Sequence, residues 1–116
     1  MRDGDAHPDA IQEIQTIATR GGDFARALGA LIRKRHDTLL AGKLDNAFEP
    51  HEVSPGITCH SVNHCVGWVG ISAVFIIEDG ALKLLSVVAF ENFMDEAMSA
   101  WALQEALRLA EARIQN

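Results

Sequence analysis

Apolar residues recur at helical spacing over Ile11, Ile14, Ile17 and Ala18, and again over Phe24, Leu28, Leu31, Ile32, Leu39 and Leu40. Both stretches predict amphipathic helices. Pro8 suits the first turn of the first helix, and Gly21-Gly22 stops it. Asp23 is placed to cap the second, which is expected over 24–41 with Gly42 just past its end. The period then changes. Residues 57–62, 65–77 and 81–90 are rich in β-branched and apolar residues, which predicts three strands. Asp79-Gly80 is a two-residue hairpin signal, and Ser54-Pro55-Gly56 has the residue pattern of a type II turn. Asn92, with Asp95 three residues on, can cap a last helix carrying Met94, Ala97, Met98, Trp101, Leu103, Ala106, Leu107, Ala110 and Ile114.

The pattern therefore predicts an α+β fold in the order α-α-β-β-β-α: two N-terminal helices, a three-stranded antiparallel meander and a long C-terminal helix. Residues 1–116 read as a single domain, with the polar stretch 1–7 frayed and 43–56 a connector. Centring the hairpin on Asp79-Gly80 pairs Ile77 with Leu82, Phe75 with Leu84 and Ala73 with Ser86. Both faces of that hairpin are then apolar, whereas a sheet with one solvated face alternates. Either the helices split between the two faces, or one face packs on a second copy. Mean hydropathy of +0.06 is high for 116 residues, because a small domain has much surface for its volume. A homodimer through a sheet face or the last helix is the expected assembly.

Charge narrows the partners. Ten basic against 16 acidic residues leave a formal net charge of −6, which opposes nonspecific binding to nucleic acid or anionic membranes. Residues 1–10 are polar and lack the apolar core of a secretory signal, and the longest apolar run, 66–77, is too short to span a bilayer as a helix. A cytoplasmic location is expected, with both cysteines reduced.

The densest chemistry is Cys59-His60-Ser61-Val62-Asn63-His64-Cys65. As a metal site, Cys59, His60, His64 and Cys65 would have to converge on one point about 2.0–2.3 Å away. On one extended strand His60 and His64 lie about 13 Å apart. A tight turn at Asn63-His64 puts the two cysteines on opposite faces, and only a three-residue loop, 62–64, puts them on the same face. The spacing lacks the paired CxxC form of recognisable zinc sites. An enzyme built on the same region would use Cys59 or His60 in a cleft near residues 52–65, with Glu49, His51 or Glu52 as orienting groups.

Two further patterns carry functional readings. Ala18, Gly22, Leu28 and Leu31 have helix-turn-helix spacing within residues 14–36, with Arg26, Arg33 and Arg35 as basic groups, but the groove-facing positions offer a single base-reading donor. A ligand pocket is the stronger candidate: Trp68 and Gly70 on the central strand, Met94, Met98 and Trp101 on the last helix, and Lys83 as a polar anchor. No nucleotide-binding, zinc-protease or serine-hydrolase motif is present, and no cofactor is implied. The sequence thus predicts a non-enzymatic binding or interaction module for a small apolar ligand or a partner protein. A small enzyme and a DNA-binding regulator are the alternatives.

Overall fold

The computed structural model describes residues 1–92 and 94–114. Helices α1 (Pro8–Thr19), α2 (Gly22–Ala41) and α3 (Glu96–Ile114) pack on a five-stranded sheet of β1 (Arg2–Ala6), β2 (Glu49–Ser54), β3 (Ile57–Val66), β4 (Val69–Glu78) and β5 (Ala81–Glu91). The spatial order is β1-β5-β4-β3-β2, with β1 parallel to β5 and every other pair antiparallel. The α+β class is as expected, but the meander of three strands is a sheet of five. Both additional strands are polar edge strands, whose stability comes from pairing rather than from apolar side chains. Stretch 1–7 is not frayed: β1 is anchored by Arg2 N–H to Gly80 C=O at 2.9 Å and His7 N–H to Leu84 C=O at 2.8 Å. Strand β2 lies inside the expected connector and tolerates Pro50 because it is an outer strand.

Local turn chemistry sets the hairpins. Asp79 (φ +51°) and Gly80 (φ +76°) both take positive φ, as the two-residue turn requires. Gly56 takes φ +78° between β2 and β3, as a type II turn demands. The β3–β4 turn is not at Asn63-His64 or 62–64. It falls at Gly67-Trp68, where Val66 pairs with Val69 and Gly67 takes φ +59° at the first central position. Strand β3 therefore runs through the whole cysteine–histidine stretch. Asp95, not Asn92, caps α3, accepting from Ala97 N–H at 2.9 Å. Gly21 rather than Asp23 occupies the N-cap of α2, while Gly42 closes that helix in the left-handed conformation.

The register shifts between Val74 and Phe75, so Ala73 pairs with Val87 instead of Ser86. The extra residue, Leu85, makes a β-bulge in β5, and everything after it changes face. Val87 and Ala89 thereby join Ile71, Ala73, Phe75, Leu82 and Leu84 under α1 and α2. Leu85 and Val88 join Val74, Ile76 and Cys59 under α3, whose Ala106 and Ala110 bring the helix close to the sheet. The three helices split between the faces. The two-sided apolar pattern is therefore satisfied within one chain and does not itself call for a second copy. No helix among the described residues is long and apolar enough to cross a membrane.

Candidate functional site

A cavity of about 580 Å³ lies between β1, α1 and α2. Ile11 and Ile14 of α1, Leu31 and Ile32 of α2, and Leu84 of β5 form its walls. Its rim is built by an irregularity in β1. Asp3 pairs with Leu82 and Ala6 with Leu84, so three steps along β1 match two along β5. Gly4 permits this close approach, since a Cβ there would stand 2.8 Å from the Leu82 carbonyl oxygen. Asp5 absorbs the extra step at φ +64°, a left-handed conformation that aspartate tolerates better than most residues.

The rim charges are unequal. Asp3 forms an ion pair with Arg35 and also accepts from Asp5 N–H at 2.8 Å. The Asp5 carboxylate has no hydrogen-bond or ionic partner among the described residues. The cavity thus offers an aliphatic floor, a neutralised Asp3–Arg35 pair and one free anion. Ile11 remains 45% exposed and Ile32 59%, so neither isoleucine is accounted for by core packing alone.

A second cleft, of about 460 Å³, separates β2 from α3 and is lined by His51, Glu52, Val53, Gln104, Leu107, Arg108 and Glu111. Beside it, His51 Nε2 and Ser61 Oγ stand 2.9 Å apart. A hydroxyl against an imidazole nitrogen is the first contact that hydroxyl activation needs. The rest is missing: Ser61 is buried, and among the described residues no carboxylate hydrogen-bonds to the other ring nitrogen of His51. Arg108 is held by Glu105 through bonds of 3.0 and 2.5 Å. Glu111 instead accepts from Ser54 Oγ at 3.3 Å.

Strand β3 disperses the cysteine–histidine stretch. His60 and His64 pair with Phe75 and Ile71 and share the α1/α2 face. Cys59 and Cys65 lie on the α3 face, about 20 Å apart along the strand, and both are free thiols. The four residues do not converge, and no group of three or more metal-ligating side chains occurs among the described residues. Burial, reinforced by Glu111 and Glu78, pushes the Cys59 thiol up to about 11, so it is a poor nucleophile. His60 faces away from Cys59 and from the β2–α3 cleft.

The two histidines make stability depend on pH. Burial lowers both below the ordinary 6.5, with a contribution from His51 at His60 and from Lys34 at His64. His64 Nε2 is buried with no hydrogen-bond partner among the described residues. As pH falls below about 6.5 the unfolded chain binds these protons first. The stabilisation is therefore complete above 6.5 and is lost as pH falls through the folded-state values. Thermal unfolding between pH 7.5 and 5 is expected to show a falling Tm that His64→Leu flattens. An unchanged slope in that variant would remove His64 from the account.

The six residues expected to form a ligand pocket are not brought together. A Cβ on Gly70 would stand 2.5 Å from Phe90 Cζ, so that space holds a ring and not a ligand. Lys83 pairs with Ile76, six residues and about 20 Å along β4 from Gly70. Trp68 (68% exposed), Met94 (69%), Met98 (36%) and Trp101 (50%) stay on the surface near the β3–β4 turn and the start of α3. Of the basic residues read as DNA contacts, Arg26 pairs with Asp23 and Arg35 with Asp3, and neighbouring Lys34 pairs with Asp45. Leu28 and Leu31 are buried under the sheet. Neither of these two clefts was legible in the sequence, because each needs a polar edge strand. The one available signal for the β1–α1–α2 cavity was the width of the Ile11–Ile14 and Leu31–Ile32 stripes.

Comparison with protein-family models, curated proteins and solved structures returns no match.

Proposed function

We propose that the protein is a non-catalytic binding module whose β1–α1–α2 cavity takes a small molecule with an apolar body and a basic amine. The observation that carries this is the free Asp5 carboxylate at the rim of a cavity with isoleucine and leucine walls. The volume of about 580 Å³ falls in the range of small-molecule sites, which pair apolar walls with a few polar groups. Asp5 supplies the polar group. Because Asp3 is already matched by Arg35, a cationic ligand gains at the rim and an anionic one loses.

The test is titration calorimetry with n-octylamine and octanoate. Octylamine is expected to bind more tightly by about two- to fivefold, the range of a solvent-exposed ion pair. Asp5→Asn should abolish the preference without abolishing binding, and Ile11→Trp, which fills the cavity from its rim, should abolish both. Octylamine binding that survives Ile11→Trp unchanged would place the ligand elsewhere and overturn the reading.

A further inference from the structure

Strand β5 is only half covered on its outer side. Strand β1 pairs with it as far as Leu84 and then turns into α1 at Pro8. The next two outward-facing backbone groups are taken by side chains. Arg113 Nη1 donates to Leu85 C=O at 2.8 Å, and Val87 N–H donates to Glu13 Oε1 at 3.0 Å. Since Val87 N–H points away from β4, the period of an antiparallel ladder turns the Ala89 N–H and C=O outward as well. They find no partner among the described residues.

This open segment has unusual chemistry for an edge. Natural edges are blunted by lysine, proline or inward charges, yet Val87-Val88-Ala89-Phe90 carries none. Charges close both ends and are already matched: Glu13 by Arg113, and Glu91 by Arg20 at 2.8 Å. Between them a groove of about 280 Å³ runs along the edge, lined by Gln12, Thr16, Ile17, Val87, Val88 and Ala89 together with Glu13.

An apolar strip flanks the same edge on the other side of the sheet. Leu107 of α3 lines the cleft facing β2. Met98 is nine residues from Leu107, half a revolution at about 100° per residue, and so faces the β5 edge. Trp101 lies next to it near the crest of the helix, and Met94 precedes it. Helix α3 runs back along β5, with Ser86 Oγ bonding to Ala106 C=O and Arg113 reaching Leu85. Its exposed N-terminal half therefore stands beside the open half of the strand.

We propose that this edge pairs with the same edge of a second copy of the chain, making one continuous sheet across a twofold axis at Ala89. The arrangement is self-complementary. Antiparallel alignment on Ala89 gives two mutual Ala89 N–H to C=O bonds, and Glu91 N–H of each copy meets Val87 C=O of the other. No unmatched charge is brought to the centre, and the Met98–Trp101 strips of the two α3 helices meet beside it. A tryptophan and two methionines give several hundred Å² per copy with the ladder, against about 800 Å² in a standard interface, which corresponds to a dimer of moderate affinity.

The test is sedimentation velocity of the full chain with two variants, Ala89→Pro, which removes the central edge donor, and Trp101→Lys, which leaves the backbone alone. The wild type is expected to sediment at twice 12.6 kDa at about 100 μM. Each variant should raise the dissociation constant at least about tenfold. Exchange of the Ala89 amide should slow with wild-type concentration. A 12.6 kDa wild type throughout, or a dimer untouched by Trp101→Lys and by a folded Ala89→Pro, overturns the proposal.

Discussion

Glu13→Ala is expected to lower the unfolding free energy by about 3 kcal/mol, the lower end of the range for removing one partner of a buried pair. The lower end applies because the Glu13 side chain is still 22% exposed, against 9% for Arg113. In the native protein Arg113 Nη1 and Nη2 each donate to Glu13 at 2.8 Å, and Nη1 also reaches Leu85 C=O. The pair ties α3 on one face of the sheet to α1 on the other, around the edge where β1 stops. Without Glu13 the guanidinium keeps only Leu85 C=O and Asp9, which is 3.9 Å away, and Val87 N–H loses its acceptor. Arg113→Met should cost less, since the surviving carboxylate can turn toward water. The double variant Glu13→Leu/Arg113→Met should cost clearly less than the sum of the two single changes. Urea unfolding with an unchanged m-value measures all three. Additive costs, or a Glu13→Ala effect below about 1 kcal/mol, would show that the clamp contributes little.

Gly70→Ala is the second large effect, about 1–3 kcal/mol of destabilisation by overpacking. The added methyl would stand 2.5–3.0 Å from three atoms of the Phe90 ring, which is itself 3% exposed. Gly70 and Phe90 are directly paired across β4 and β5, so neither can move without disturbing the ladder. Phe90→Leu opens the space at its own cost, and the double variant should recover part of the Gly70→Ala loss. Thermal unfolding of the three proteins decides this. If Gly70→Ala is neutral alone, the ring has room to withdraw and the close packing has no energetic weight.

Gly70 also shows how sequence reading goes astray. A glycine on a central strand signals a close approach, but it does not say of what. Here the approaching group is a ring from the neighbouring strand, in a pairing that depends on the bulge at Leu85. Val87-Val88-Ala89-Phe90 is apolar at every position, so a slip by one residue leaves no polar residue out of place to reveal it. The same blindness hid β1 and β2. Arg2–Ala6 and Glu49–Ser54 contain mostly charged residues, glycine and proline, which in isolation favour coil. Each becomes a strand because a neighbour's backbone needs a partner. The β1–α1–α2 cavity and the His51–Ser61 contact depend on those two strands and were hidden with them.

What the sequence determined by itself is local: three helices close to the expected ranges, the Asp79-Gly80 and Pro55-Gly56 turns, and the two apolar faces of β4 and β5. These follow from periodicity and from the φ angles that single residues allow, and neither depends on distant parts of the chain. The tertiary structure decided the rest. It set the five-strand order, the division of helices between faces, the scattering of Cys59, His60, His64 and Cys65 along one strand, and the edge left open at Ala89. Those outcomes are fixed by hydrogen bonds and packing between segments as far apart as Glu13 and Arg113. No local pattern encodes a pairing whose partner lies a hundred residues away.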